Sequence, residues 1–473
     1  MRLACIACLL CVGLNVAANA QGTADILIKN ARIITMDADF TAYEGGVLTI
    51  TGDKISAVGG PELLEAVSAA KVIDAAGGIV MPGMINLHNH IPMVAFRGIG
   101  EYNVDNLLFE VMFPLEKELL NRALIYVASR HAALELALGG VTLVTDMYYH
   151  EDEVAKAVKE VGIRGVLGET VIGFPVVDAP EPFGGLAYAE NYIKEYKDDA
   201  LIIPAVAPHA PYTVSPEMMR KSRALAEKYG VPMVMHMAEF GDEKDLINER
   251  FDTLRSDESI VQYLDRIGAL YDGLLGAHVI EMEPGDIALL KERGVGVGHN
   301  PKANIKGGQN LAPAWDMFKA GVDIGLGTDG PMSSNQMDTI NVMGYAARIA
   351  RVKYHDTKAF TPRDLVEMAT IGGARALDLE DQIGSLEVGK KADVVIISVA
   401  APNMQPAYDV YATVAHQAYP SDVHTVIVNG AMVVENRKII NVDIAAHEDQ
   451  WNAVLAKVAA FRQTLEVEPI ARK

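Results

Sequence analysis

Along residues 24–80 apolar positions come in short β-branched runs broken by turn residues. Ile26-Leu27-Ile28 leads into Ala31-Arg32-Ile33-Ile34, and Val47-Leu48-Thr49-Ile50 stops at Gly52-Asp53. Such runs predict strands. The same texture returns near the other end in Val394-Val395-Ile396-Ile397, Thr425-Val426-Ile427-Val428 and Met432-Val433-Val434. Two strand-rich flanks around a long middle predict one small β-sandwich domain, built from residues 24–80 and 383–441.

The middle, residues 81–382, has a different rhythm. Apolar bursts at 85–87, 141–144, 165–167, 201–206, 231–235, 274–277, 295–297 and 322–326 are each followed by a helical stretch. Eight strand signals without an obvious linker predict a (β/α)8 TIM barrel rather than an open sheet. Apolar residues at three-to-four spacing place connecting helices at Arg122–Leu138, Pro216–Tyr229 and Thr361–Ala374,. A C-terminal helix is expected within residues 442–473, at Ile444–Leu465. Beyond the strand–helix alternation there is no internal repeat.

Residues 1–20 follow another grammar. Met1-Arg2 precedes an apolar run to Val16, and Ala18-Asn19-Ala20 stands ahead of Gln21. A positive start, a short apolar stretch and an A-x-A site predict a cleaved signal peptide, and hence a periplasmic or secreted protein. The run is shorter than the ~20 apolar residues of a membrane span, and no later segment qualifies. Cys5, Cys8 and Cys11 are the three cysteines of the chain, so cleavage would leave none to form a disulfide.

Composition narrows the partners. The chain has 473 residues, 50% of them hydrophobic, and a formal net charge of −21. That is the mix of a packed globular protein, without the basic field that binds a phosphate backbone, so nucleic acid is excluded as a partner. A small-molecule substrate is expected, with assembly as a homodimer left open.

Six of the twelve histidines, His88, His90, His209, His236, His278 and His299, fall at or just after the end of an expected barrel strand, and Asp329 ends the eighth. Strand C-termini converge on one face of a barrel, so these residues can share a site. In His88-Asn89-His90 the two imidazoles point the same way along a strand. With His236 and Asp329 they offer three nitrogens and a carboxylate, a set suited to Zn²⁺ or another divalent ion with a position open for water, which such an ion acidifies. Glu239, in His236-Met237-Ala238-Glu239, lies within reach to carry a proton between that water and a leaving nitrogen. Its competing role is a carboxylate stabilising the start of the next helix.

These stretches resemble the amidohydrolase superfamily, in its cytosine deaminase-like branch. The methylthioadenosine/S-adenosylhomocysteine deaminase and triazine hydrolase group is the most similar. The resemblance is carried by Pro82-Gly83-Met84-Ile85-Asn86-Leu87-His88-Asn89-His90, Pro208-His209-Ala210-Pro211-Tyr212, His236-Met237-Ala238-Glu239, Ala277-His278, His299-Asn300-Pro301, Gly327-Thr328-Asp329-Gly330 and Ile371-Gly372-Gly373-Ala374-Arg375. It covers residues 24–440. It implies one divalent ion per chain, Zn²⁺ with Fe²⁺ as the alternative, held by His88, His90, His236 and Asp329. It implies Glu239 as proton shuttle, His278 polarising the attacked centre, Asp329 also acting as a base, and His209 and Glu116 contacting substrate. The fourth strand offers no lysine, which argues against a carbamylated two-metal site.

Departures from the adenosine-type members are also visible. Leu107 stands where they carry Trp, Gly168-Glu169-Thr170 where they carry Arg, and Lys302-Ala303 where they carry small polar residues. Lys302 and Lys306 read as solvated loop charges, with substrate contact as the alternative. The leading expectation is an exported aminohydrolase that removes an exocyclic amino group from a nitrogen heterocycle. Hydrolysis of an amide, a cyclic amide or a halogenated or alkylamino ring is the alternative. A non-catalytic binding protein on this scaffold would have lost a ligand, and none is missing.

Overall fold

The computed structural model of the protein describes residues 23–101 and 107–465. The expected signal peptide at 1–20, with its three cysteines, lies outside the described residues.

Strands from both chain ends join in one nine-stranded ladder. The N-terminal flank supplies β1 (Ala24–Ile34), β2 (Ala42–Thr51), β3 (Lys54–Gly59), β4 (Ala69–Asp74) and β5 (Ile79–Pro82). The barrel strands that follow are β6 (Met84–Asn89), β7 (Val141–Tyr148), β8 (Arg164–Val171), β9 (Ile202–Pro208), β10 (Met233–Met237), β11 (Leu274–His278), β12 (Gly296–His299) and β13 (Ile324–Leu326). The C-terminal flank adds β14 (Val394–Ile397), β15 (Val423–Val428), β16 (Ala431–Glu435) and β17 (Lys438–Ile439). The joint between the flanks is β5, which pairs parallel with β1 and antiparallel with β14. A separate apolar core containing Ile28, Leu48, Ile50, Val80, Val394 and Ile427 draws on both flanks, which makes the domain composite.

Barrel strands β6 to β13 lie side by side in chain order and parallel. Because helices cover the outside and side chains fill the inside, a barrel strand is buried on both faces and reads as an apolar burst rather than an alternation. All eight expected bursts are strands. The seam between first and last is drawn together where the Asp329 N–H donates to the His88 carbonyl at 2.9 Å. The chain crosses from the composite sheet into the barrel at Gly83, where a Cβ would sit 1.9 Å from Thr142 Oγ1, so no larger residue fits,.

Helices at Arg122–Leu138 and Pro216–Tyr229 occupy the expected spans, each started by a side-chain cap, Asn121 to the Leu124 N–H and Ser215 to the Met218 N–H,. The expected helix at Thr361–Ala374 is two helices, Pro362–Ala369 and Ile371–Arg375, broken at Thr370 (φ −132°, ψ −99°). The break lets Gly372 and Gly373 lie against Ile324 and Ile85 at the barrel floor, a tertiary demand that local periodicity does not carry. The C-terminal helix spans Ile444–Arg462. No described helix is long and apolar enough to cross a membrane.

Candidate metal and catalytic site

Strand ends deliver the site. His88 lies in β6 and His90 directly follows it, His236 lies in β10, His278 ends β11, and Asp329 follows β13. His88, His90 and His236 each bring a ring nitrogen within 4.8 Å of the others, and His88, His278 and Asp329 form a second such group. The Nε2 atoms of His90 and His236 are 3.2 Å apart, and Asp329 Oδ1 is 3.6 Å from Nε2 of both His88 and His90. Those distances leave a space that one ion fits.

The surrounding contacts fix which nitrogen is free. His90 Nδ1–H donates to the Met147 carbonyl at 2.7 Å, and His236 Nδ1–H to the His209 carbonyl at 2.9 Å. Each ring therefore keeps its lone pair on the converging Nε2. Among the described residues, buried His88 Nε2 has no hydrogen-bond partner. Burial lowers the pKa of all three rings and neighbouring histidines add to the effect, while at His90 Asp329 and the Met147 carbonyl oppose it. Neutral, desolvated imidazoles with an orphaned lone pair are what a divalent cation requires, so the residues present fit the ion.

Asp329 and His278 take left-handed backbone conformations, φ 62° and 74°, as do Ala238 (50°) and Val279 (50°). Four such non-glycine residues around one site mark strain kept by the surrounding structure. Below them, Thr328 Oγ1 accepts hydrogen bonds from the amides of Asn86 and Asn89, both at 2.8 Å, and its N–H donates to Asn86 Oδ1. Gly327 passes where a Cβ would lie 2.2 Å from Asn300 Oδ1 and 3.0 Å from His88 Cβ.

Glu239 follows β10 with Oε1 3.8 Å from His278 Nε2, and it accepts a hydrogen bond from Gln309 Nε2 at 3.0 Å. Burial raises its pKa, partly offset by His278. His278 Nδ1–H donates to Asn304 Oδ1 at 2.9 Å, which aims Nε2 at Glu239 and the ligand group. The helix-start role also considered for this position falls to others: the next helix begins at Glu243, its first-turn carboxylates are Glu243 and Asp245, and Glu243 accepts the Glu239 N–H at 2.6 Å.

All of this opens into a cavity of about 600 Å³, lined among others by His90, His209, His236, Glu239, His278 and Asp329. His209 and Glu116 line it too. The His209 ring lies tilted against His236, centroids 4.8 Å apart, and its Nδ1 meets Thr213 Oγ1 at 2.9 Å. Glu116 Oε1 accepts from the Tyr148 hydroxyl at 2.7 Å, and burial pushes its carboxyl up to about 7 against the pull of Tyr148 and Tyr149. His299 is the strand-end histidine that joins neither a ligand group nor the cavity wall. It lies beside His278, buried with Nδ1 unpartnered, and does not line the cavity.

The lysines differ from the solvated-loop reading. Lys306 faces the cavity but is held by Glu101 Oε1 (2.6 Å), Asn335 Oδ1 (2.5 Å) and the Met332 carbonyl (2.9 Å). Lys302 is not in the lining and donates to Gln336 Oε1 at 2.5 Å. The departures at Leu107, Thr170 and Ala303 are wall positions of the same cavity.

Sequence reasoning missed a buried acidic layer behind the site. Asp146 Oδ1 accepts the Ile91 N–H at 2.6 Å, next to His90, and Glu169 accepts the Glu151 N–H at 3.1 Å. Asp146, Glu151 and Glu169 are fully buried. Asp146 and Glu169 lie near the ends of β7 and β8, so the rule that picked out the histidines, applied to carboxylates, would have found them.

Comparison with known proteins gives the family. A deaminase of 5-methylthioadenosine and S-adenosylhomocysteine from Syntrophobacter fumaroxidans is 34% identical over 89% of this chain and 95% of its own. The structure of an adenosine deaminase from Xanthomonas campestris with bound zinc superposes with a TM-score of 0.88 at 29% identity, covering 93% of this chain and 99% of that one. Atrazine chlorohydrolase from Arthrobacter aurescens, complexed with zinc, shares the fold (TM-score 0.82, 23% identity, 91% and 100% covered). The model of the amidohydrolase family matches residues 79–433, from the last strand of the N-terminal flank through the barrel and into the C-terminal flank. The chain belongs to the amidohydrolase family, as a hydrolase of carbon–nitrogen bonds.

Proposed function

We propose that the protein is a hydrolytic deaminase of an amino-substituted nitrogen heterocycle of the aminopurine nucleoside kind. The carrying observation is the pair Glu239 and His278 beside four convergent metal-type ligands, at the end of a cavity that also presents Glu116. His88, His90, His236 and Asp329 would hold one divalent ion, Zn²⁺ by the chemistry of the donors, which supplies Lewis acidity toward water when bound.

The chain's own residues do the rest. Water adds to the ring carbon that bears the amino group. Glu239 carries one proton of that water to the neighbouring ring nitrogen and the other to the leaving nitrogen, the exocyclic C–N bond breaks, and ammonia departs, leaving a ring carbonyl beside a ring N–H. A carboxyl whose pKa is raised by burial is a stronger base than a free glutamate, which suits both halves of this transfer,. His278, with Nδ1–H fixed on Asn304, presents Nε2 to the charge that develops at the attacked carbon. Thr213 donates its own hydroxyl to the Ala210 carbonyl and so receives the His209 Nδ1–H. That leaves His209 Nε2 as an acceptor for the substrate, while Glu116 with Tyr148 receives its hydroxyls.

The test is ammonia release by the purified Zn²⁺-loaded chain from 5-methylthioadenosine. Turnover with one ammonia per ring carbonyl formed supports the reading. Its absence with this compound and with adenosine, pterins, pyrimidines and triazines would reject it. Export belongs to the same proposal, on the strength of the A-x-A pattern before Gln21,. N-terminal sequencing of the protein from the producing cell should begin at Gln21, and a chain that keeps Met1 would refute export.

A further inference from the structure

The outer half of the cavity carries chemistry that the catalytic end does not use. Ring contacts lead away from the metal ligands: His236 to His209 at 4.8 Å, then to Phe113 at 6.4 Å and Tyr212 at 6.0 Å. From there they reach Phe109, 5.4 Å beyond Phe113, and Phe240, 6.1 Å beyond Tyr212. Phe109 is 46% exposed, so this path runs from the buried floor to the mouth. All five of these outward rings belong to the cavity lining.

Charge on this half is negative. Asp242 lines the mouth and is exposed, and among the described residues its side chain makes no cap hydrogen bond to the helix that follows. Glu116, buried in the helix Phe113–Leu119, also lines the cavity. Among the described lining residues Lys306 is the sole lysine or arginine, and Glu101, Asn335 and the Met332 carbonyl already surround its ammonium. Arg250 packs over Phe174 at 5.9 Å, but neither residue is part of the lining. A divalent ion at the histidines would be offset by Asp329 and Glu239, leaving no surplus positive charge to act outward. A carboxylate or phosphate entering this half would lose water without gaining a partner, whereas an apolar group gains ring contact.

We infer that the outer half selects the substrate's distal arm by charge: it takes an uncharged, apolar substituent and turns away one that ends in a carboxylate or phosphate. The inference rests on the deaminase reading and adds the arm to it. The experiment compares kcat/KM for ammonia release by the Zn²⁺-loaded full chain from 5-methylthioadenosine, S-adenosylhomocysteine and adenosine 5-monophosphate. The uncharged thioether arm should exceed the phosphate arm by on the order of a hundredfold, with the amino-acid arm also disfavoured. Asp242→Lys should shrink the thioether-to-phosphate ratio by about tenfold. Asp242 is exposed and makes no cap hydrogen bond to the helix that follows, so the variant should fold, which circular dichroism checks. Equal handling of the three compounds, or a ratio unmoved in the folded variant, would overturn the inference alone. No ammonia from any of them would overturn the deaminase reading and this inference with it.

Discussion

Glu239 is the residue on which the chemistry turns, because it alone joins the ligand group to a proton donor and acceptor at the leaving nitrogen. Its carboxyl is buried, its partners are His278 and Gln309, and it is not among the groups of metal-type ligands. Glu239→Gln keeps the shape and removes the proton transfer, so kcat should fall about 10²–10⁴-fold while metal content stays that of the parent, as read by ammonia release and elemental analysis. An active variant would reject the shuttle. The strand-end histidines were legible because each terminates an apolar burst, and a polar residue there has few other reasons to exist. Asn304 was not, because its role is a hydrogen bond to a ring 26 positions earlier, and no spacing rule marks it. Lys306 read as a loop charge because the partners that bind it, Glu101 and Asn335, come from distant loops.

At the level of elements, the ends of β7 and β8 and the helix at Glu151–Val161 enclose the acidic layer. Burial pushes the Asp146 carboxyl up to about 8 and raises Glu151 and Glu169 well above the ordinary carboxylate range, with mutual repulsion adding to the shift of Glu151. The folded chain thus keeps protons that the unfolded chain releases near pH 4. The layer's contribution is complete below that pH and is lost as the pH rises through about 8,. Glu151→Gln removes one of these protons from the balance. Denaturant unfolding at a series of pH values should show stability falling less steeply between about pH 5 and 8, by up to ~1 kcal/mol per pH unit. An unchanged slope would mean that the layer is ionised in the fold. The eight strands were legible as apolar runs because both their faces are buried. The break at Thr370 was not, since it answers to the floor of the barrel rather than to the periodicity of residues 361–374.

Across the whole molecule, the barrel and the composite sheet meet through a buried ion pair. Arg164 at the start of β8 donates Nε–H to Asp393 Oδ2 at 2.7 Å and Nη2–H to Asp393 Oδ1 at 3.1 Å, with further bonds to Asn429 and the Ala200 carbonyl. Removing one partner strands a desolvated charge, so Arg164→Ala should lower unfolding free energy by about 3–5 kcal/mol in denaturant titration. A loss under ~1 kcal/mol would show that the domains do not depend on this contact. The composite domain was visible in sequence as two like-textured flanks, yet Arg164 and Asp393, 229 positions apart, gave no sign of one another. The account as a whole stands on one site with one ion serving deamination. Its most direct test is ammonia release from 5-methylthioadenosine as Zn²⁺ is titrated into the metal-stripped chain. Activity should rise in proportion to added metal and level off at one ion per chain, whereas saturation only at two, or full activity before any metal is added, would contradict it.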